Sequence, residues 1–220
     1  MLKSEKRECM PARKEIVTDI VLIDIINFSK LDSPQQLEII SFLTRSYRKV
    51  IEKILSHSEI LLETFIMGFI PTGDGFYCIL NPKYKGYGVL LGLSFNHFSE
   101  QISKKFPYFH GIRIAVHTGG VNQFRDILGH KNFIGDGLND CSRYLELKDF
   151  TISTVMVSDI AYEQLKKFLL KRKDYEKLLQ QREFKHSQSY IFKDKHNITK
   201  RGYLVWMRKS GIITPPKYKF

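Results

Sequence analysis

The sequence has 220 residues, of which 43% are hydrophobic and 26% charged, and its formal net charge is +12. These values describe one folded domain and exclude intrinsic disorder, because a disordered chain has too few apolar residues to build a core. No apolar run approaches the roughly 20 residues of a membrane-spanning helix, so we expect no membrane insertion.

The N-terminus and the cysteines indicate the compartment. The N-terminus is charged and lacks the apolar core of a secretory signal, and the three cysteines are too scattered for a disulfide framework or a zinc site. We therefore expect a cytoplasmic protein. The positive charge favours a polyanionic partner, which includes nucleic acid, anionic lipid and triphosphates. We expect one domain, residues 15–208, between a basic N-terminal segment, residues 1–14, and a basic C-terminal tail, residues 209–220.

Strands and helices alternate along the chain. Runs rich in Ile, Val and aromatic residues predict strands at residues 15–28, 60–70, 76–80, 110–117, 152–157, 190–192 and 203–207. Helical spacing of apolar residues predicts helices over residues 33–55, 87–106, 136–147 and 159–170, the last extending to residue 181 in its longest form. Turns are expected at residues 71–75 and, because of two glycines, at residues 118–120.

The first helix shows the clearest start signal and the longest apolar face. Asp32 precedes Ser33 and Pro34, with Gln36 in the first turn, which is typical of a capped helix start. Its apolar face is expected to comprise Leu37, Ile40, Leu43, Tyr47, Ile51 and Leu55. The order strand, helix, strand, strand, helix, strand predicts an α+β fold with a ferredoxin-like βαββαβ core, in which both helices cover one face of a sheet, and further C-terminal strands and a helix follow it.

Two carboxylates stand where this fold brings strands together. Asp24 interrupts the first apolar strand, and burying such a charge unpaired is costly. Asp74 lies in the turn between the second and third strands. The two acids are expected to meet at one end of the sheet, where carboxylates suit Mg²⁺ or Mn²⁺. Two such cations would activate a hydroxyl and neutralise a triphosphate.

Two further features favour phosphate chemistry. Residues 25–29 lead from the first strand toward a helix, whose free N–H groups suit phosphate oxygens. Asn139 and Arg143, four residues apart on a predicted helix, lie on the same face. Taken alone, each of these features is also common in turns and on solvated surfaces.

Four blocks of the sequence together resemble the class III nucleotidyl cyclase catalytic domain. They are VLIDIINFS (residues 21–29), TGDGF (72–76), GIRIAVHTGG (111–120) and FIGDGLNDCSR (133–143), in the order found in that family. The resemblance implies a nucleotidyl cyclase that makes a cyclic nucleotide and pyrophosphate, works as a homodimer and has active sites shared between the two chains.

The resemblance also implies roles for individual residues. Asp24 and Asp74, with the carbonyl of Ile25, would hold two divalent cations, and Phe28 would close the turn that contacts the triphosphate. The partner chain would supply Asn139 to orient the ribose and Arg143 to neutralise the phosphoryl group. A basic residue of the last hairpin contacts the triphosphate in the family, and Lys195 is the candidate.

The same resemblance does not identify the nucleobase of the substrate. Adenylyl and guanylyl members carry polar residues at two positions that here are Ile70 and Asn132, so neither purine pattern is present. An apolar residue cannot make the hydrogen bonds that discriminate bases. This departure resembles the small pyrimidine cyclases of bacterial antiphage signalling, the Pycsar group, and favours UTP or CTP, with ATP and then GTP as alternatives.

Two other classes of protein remain as alternatives. One is a cyclase-like domain that has lost activity and acts as a regulator, which the presence of both acids, Asn139 and Arg143 disfavours. The other is a nucleic-acid-binding module, which the basic composition favours. The sequence lacks the aromatic strand by which such sheets stack bases, and a pair of acids would repel phosphate without metal. Nucleic acid is therefore an unlikely partner.

Overall fold

The structure, a computed structural model, describes residues 15–56, 59–146, 155–170 and 184–207. The basic N-terminal segment (1–14), the basic tail (209–220) and the extension of the last helix to residue 181 lie outside the described residues. No helix in the described ranges is long and apolar enough to cross a membrane.

The first half of the chain forms the βαββαβ unit. Its elements are β1 (Ile16–Ile25), α1 (Ser33–Leu55), the one-turn helix α2 (Leu62–Phe65), β2 (Ile66–Pro71), β3 (Gly75–Leu80), α3 (Tyr87–Lys105) and β4 (Ile112–Arg125). The four strands are ordered β2-β3-β1-β4, and each pair is antiparallel. The ferredoxin-like core and the α+β class are therefore confirmed.

The second half widens the sheet. It contributes β5 (Lys131–Ile134), α4 (Asp136–Arg143), β6 (Val155–Ser158), α5 (Asp159–Leu170), β7 (Phe184–His186), β8 (Tyr190–Lys193) and β9 (Thr199–Met207). Within the described ranges the sheet continues β4-β6-β9-β7, while β5 pairs with β4 and β8 with β9. The predicted C-terminal strands and helix are present, and β5 and β7 are strands that the sequence pattern misses.

The sheet separates two apolar clusters. On one face, α1, α3 and α5 pack over residues such as Val21, Ile23 and Val116. On the other face, the main covering helix in the described chain is α4, which packs through Leu138 and Cys141. Because strand side chains alternate between faces, β1 contributes apolar side chains to both clusters. The face under α4 is the one that carries the candidate site.

Helix α1 begins at the predicted cap and buries the predicted face through Leu43, Tyr47, Ile51 and Leu55, with one exception. Asp32 accepts the N–H of Gln35 at 2.8 Å, and the Gln35 side chain accepts the N–H of Asp32 at 3.2 Å, a capping box that uses Gln35 rather than Gln36. Leu37 is 69% exposed, while Ile39 is fully buried. The expectation that Leu37 belongs to the buried face is therefore wrong.

Two other local predictions are wrong. Part of the segment predicted as strand 60–70 is the helical turn α2, which places Phe65 in the core against Tyr87 at a ring distance of 5.6 Å. The expected turn at residues 118–120 is straight strand within β4. There a Cβ on Gly119 would lie 2.7 Å from the Cα of Gly137, so the missing side chains let α4 lie directly on β4.

A buried acid fixes the start of α3. Asp19 is 1% exposed, and its Oδ2 accepts the N–H of Gly86 at 2.6 Å and of Gly88 at 3.1 Å. Its Oδ1 accepts the Thr118 hydroxyl at 2.6 Å. Burial raises the pKa of Asp19, and these hydrogen bonds oppose the rise. This carboxylate joins β1, β4 and the first turn of α3.

Candidate active site

The register of the sheet brings the two candidate acids, Asp24 and Asp74, to the same end of the strands. Asp24 lies opposite Gly75 in the β1–β3 ladder, so the preceding residue, Asp74, lies beside the end of β1. The N–H of Ile25 donates to the carbonyl of Asp74 at 2.8 Å, which ties the turn to the strand. The structure thus places Asp24, Ile25 and Asp74 together, as the sequence predicts.

A cavity of about 330 Å³ opens at these acids. It is lined by Leu22, Asp24, Thr72, Asp74, Tyr77, Arg113, Ser142, Leu145 and Glu146. The Asp24 side chain is 14% exposed, whereas Asp74 lies on the surface of the turn. One acid is therefore held by the sheet and the other is open to solvent.

Arg113 is a residue of this site that the sequence analysis misses. It lies opposite Asp24 in the β1–β4 ladder, and its Nε and Nη2 donate to Asp24 Oδ2 at 2.8 and 2.5 Å. The available signal is that Arg113 interrupts the apolar strand HGIRIAVH, as Asp24 interrupts β1. A charge on a central strand needs a partner, and here the two interruptions meet.

The electrostatics of Asp24 favour a cation. Burial raises the pKa of Asp24, Arg113 opposes the rise, and the neighbouring Asp74 adds to it. Two carboxylates beside a cavity, one of them paired with Arg113, form a donor set that suits a hard divalent cation. The described residues hold no cluster of three or more His, Cys, Asp or Glu, so further ligands would have to come from backbone, phosphate and water.

The turn after β1 has an unusual backbone. Asn27 has φ of 58°, in the left-handed region that Asn tolerates, and Phe28 follows in a short 3₁₀ helix, Phe28–Lys30. The Phe28 side chain is buried in the core. A phosphate contact at this turn would therefore use backbone N–H groups, and Phe28 serves to anchor the turn.

Helix α4 presents Asn139 and Arg143 differently. Asn139 is exposed, while the Arg143 side chain is 15% exposed and held within its own chain. Arg143 Nη1 lies 3.1 Å from Asp140 Oδ1 and 2.9 Å from Asp194 Oδ2. Among the described residues, neither Asn139 nor Arg143 lines the cavity at Asp24 of the same chain.

The remaining candidates lie around this face. Ile70 lies opposite Tyr77 and packs against the apolar cluster under α4. Asn132 lies on β5, and its side-chain oxygen accepts the N–H of Phe133 at 2.8 Å. Lys195 is exposed in the turn between β8 and β9. These three are not brought into the cavity with Asp24 and Asp74.

Solved structures with the same fold include nucleotidyl cyclases. The guanylate cyclase domain of RhGC from Catenaria anguillulae, in complex with GTP, matches with a TM-score of 0.64 and 19% identity over 89% of this chain and all of that one. The non-canonical dimeric guanylyl cyclase domain of the RhoGC fusion protein from Blastocladiella emersonii matches with a TM-score of 0.58 and 17% identity over 89% and 99% of the two chains.

A bacterial structure shows the same similarity. The adenylate/guanylate cyclase/hydrolase from Silicibacter pomeroyi matches with a TM-score of 0.54 and 18% identity over 88% of this chain and 98% of that one. No protein-family model matches the sequence. No curated protein matches it either. At these identities the similarity establishes the fold of the class III cyclase catalytic domain.

Proposed function

We propose that this chain is a nucleotidyl cyclase that converts a nucleoside triphosphate, UTP or CTP, into a 3′,5′-cyclic nucleotide and pyrophosphate. The observation that carries the proposal is the pairing of Asp24 with Asp74 at an open cavity, in a fold shared with structures of nucleotidyl cyclases. The fold alone would not support catalysis, because one fold hosts many functions.

The donor set at the cavity fits two divalent cations, Mg²⁺ or Mn²⁺, held by Asp24, Asp74 and the carbonyl of Ile25. When bound, they would lower the pKa of the attacking 3′-hydroxyl and neutralise the triphosphate. Arg113 already supplies positive charge to Asp24 at 2.8 Å. It would have to share this carboxylate or turn toward the phosphates when the cations bind.

The reaction forms one bond and breaks one. The 3′-oxygen attacks the α-phosphorus and loses its proton, and the bond from that phosphorus to the β-phosphate oxygen breaks, which releases pyrophosphate. Asn139 would hold the ribose in the attacking orientation, and Arg143 would neutralise charge on the phosphoryl group. The turn at Phe28 and the side chain of Lys195 would hold the outer phosphates.

A homodimer is proposed because one chain does not bring these parts together. Asn139 and Arg143 do not line the cavity at Asp24 within the described chain. A two-fold dimer would apply each chain's α4 to the partner's acids and so create two equivalent sites. The RhoGC domain of the same fold is described as a non-canonical dimer, which supports association of two such chains but no particular arrangement of them.

A pyrimidine base is proposed because of Ile70 and Asn132. Ile70 offers no hydrogen bond, and the Asn132 oxygen is engaged by the N–H of Phe133. Neither residue is thus set to discriminate a purine by the pattern of adenylyl or guanylyl enzymes. The resemblance to pyrimidine cyclases of antiphage signalling extends the proposal to a role in that defence.

The test is incubation of the protein with each of the four nucleoside triphosphates and Mn²⁺, with products identified by mass. We expect cyclic UMP or cyclic CMP from the wild type and none from Asp24→Asn or Asp74→Asn. Asp126→Asn is the matched control, because Asp126 is a turn acid away from the cavity. Cyclic AMP as the main product would overturn the base assignment, and no product from any substrate would overturn the proposed function.

A further inference from the structure

Two hairpin turns of this protein are built in the same way. The loop 126–130, between β4 and β5, is closed by Asp126, whose Oδ1 accepts the N–H of Leu128 and of His130 at 2.9 Å each. The N–H of Asp126 donates to the carbonyl of His130 at 2.9 Å, and Gly129 has φ of 81°. One oxygen of the aspartate is sufficient to form this turn.

The loop 194–198, between β8 and β9, repeats this pattern with Asp194. Its Oδ1 accepts the N–H of His196 at 2.9 Å and of Ile198 at 3.0 Å. The N–H of Asp194 donates to the carbonyl of Ile198 at 3.0 Å, and Asn197 has φ of 64° in the place of the glycine. The turn again uses only Oδ1.

The second carboxylate oxygen distinguishes the two turns. Asp126 Oδ2 has a loose contact of 3.8 Å with His130, which is 73% exposed. Asp194 Oδ2 lies 2.9 Å from Arg143 Nη1, and the Asp194 side chain is fully buried. Burial opposes ionisation of Asp194, but the two turn N–H groups and Arg143 outweigh it and lower the pKa of Asp194. The turn therefore requires the hydrogen bonds to Oδ1 of Asp194, but it does not require the bond between Oδ2 and Arg143.

We propose that Asp194 is a positioning residue for the reaction, which holds Arg143 by Nη1 so that the guanidinium is fixed before substrate binds. This inference rests on the proposed function, in which Arg143 contacts the phosphoryl group. Both of the hydrogen bonds from Arg143 to Asp140 and Asp194 use Nη1. Nε and Nη2 therefore lie outside these two bonds, and a planar guanidinium held at one nitrogen keeps a defined direction for the others.

Asp194 also connects Arg143 with Lys195, the two basic residues of the proposed site. Lys195 follows Asp194 directly and lies in the turn that Asp194 closes. Lys200, at the start of β9, is linked to the same cluster through Asp140, with Nζ 2.8 Å from Oδ1. The last hairpin and α4 are thus held in one arrangement by buried and half-buried charge pairs, and the carboxylate of Asp194 is the contact that joins the turn to Arg143.

Asp194→Asn tests the inference, because the amide oxygen keeps the turn while Nδ2 replaces the acceptor of Arg143. We expect kcat to fall about 10-fold or more, and by a larger factor than KM rises, as for a mispositioned catalytic group. Asp126→Asn, the same change in the same kind of turn, should leave both constants within about twofold. Thermal unfolding of both variants checks that each is folded.

A double-mutant cycle separates positioning from structure. If Asp194 acts through Arg143, Asp194→Asn should reduce the activity of Arg143→Ala by less than about twofold further. Full activity of Asp194→Asn, or losses that multiply in the double variant, would overturn the inference while the cyclase activity stands.

A binding experiment tests Asp194 independently of turnover. A wild type that yields no cyclic product would contradict the proposed function instead. Calorimetry of inorganic tripolyphosphate with Mg²⁺, which offsets the repulsion between the phosphates and the two acids, then provides the test. Affinity should fall about fivefold or more in Asp194→Asn and Arg143→Ala but not in Asp126→Asn. Equal affinity in all these proteins would overturn the inference.

Discussion

Arg113 on β4 and Asp24 on β1 form a cross-strand ion pair, with Nε 2.8 Å from Oδ2, at the edge of the candidate cavity. Arg113→Met leaves Asp24 beside Asp74 without this cation. We expect the free energy of unfolding of the metal-free protein to fall by about 1–2 kcal/mol, given the partial exposure of Arg113. Mn²⁺ should then raise the melting temperature more in the variant than in the wild type, because the ion no longer competes with Arg113.

Arg48→Met provides the comparison for that prediction. Arg48 pairs with Glu52 at 2.9 Å on the surface of α1, with both side chains at least half exposed. Its loss should change stability by less than about 0.5 kcal/mol, with no altered response to Mn²⁺. An identical Mn²⁺ response in Arg113→Met and the wild type would show that Arg113 and the cation do not share Asp24.

Mixing two variants with greatly reduced activity tests whether sites are shared between chains. Asp74→Asn removes one acid and Arg143→Ala removes the helix contribution, so a heterodimer keeps one intact site of two. Random pairing makes half of the dimers mixed, and we expect about a quarter of wild-type activity. Product formation is measured after co-refolding or co-expression. Absence of activity in isolated heterodimers would refute the shared site.

Asp19 should contribute far more to stability than its neighbours. Asp19→Ala leaves the N–H groups of Gly86 and Gly88 and the hydroxyl of Thr118 without their buried acceptor. We expect a loss of about 3 kcal/mol in urea unfolding. Thr118→Val removes one of these bonds and should cost about 1 kcal/mol. Equal losses in the two variants would mean that Asp19 does not hold the start of α3.

His117 should make stability depend on pH. It is 5% exposed, with Nδ1 2.9 Å from Ser158 Oγ, and burial lowers the pKa of His117 to about 4. Below about pH 6.5 the unfolded chain binds a proton that the folded chain does not accept until about pH 4. Stability should therefore fall by roughly 2–3 kcal/mol as pH drops through this window, and remain flat above it.

Urea unfolding at pH 7.5 and 4.5 measures that effect. His117→Gln removes the titrating group, so its loss of stability between the two pH values should be smaller than that of the wild type. His130→Gln is the control, because His130 is 73% exposed and its change should leave the pH dependence unaltered. Equal pH dependence in wild type and His117→Gln would assign the acid sensitivity to other groups.

The sequence predicts the parts of this site that depend on local signals. Asp24 and Asp74 each stand out against their immediate neighbours, one in an apolar strand and one in a glycine turn. Arg113 is also visible in an apolar strand, but its partner lies 89 residues away in sequence. The pairing follows from the register of β1 and β4, and a residue pattern does not specify register between distant strands.

A glycine or an acidic residue in the sequence does not indicate its structural role where that role depends on a contact with a distant element. Gly119 and Gly120 predict a turn, yet both are strand residues, and the lack of a side chain at Gly119 admits Gly137 of α4. Asp194 lies in an ordinary polar turn of the sequence, and only the fold brings it to Arg143. Local rules fail at these places because the reason for the residue type lies in another element.

Helix α4 follows β4 from the strand's glycines, where Gly137 lies, to the candidate cavity, which Ser142 lines together with Arg113. Arg113, beside the metal acids, and Gly120, under α4, lie on the same continuous strand, about 20 Å apart at the rise of extended chain. A paired central strand cannot shorten, and α4 rests on it without intervening side chains. In the proposed dimer, a regulatory signal would therefore act on how one subunit is oriented against the other, since β4 and α4 hold the acids and Asn139 at a fixed spacing within each chain.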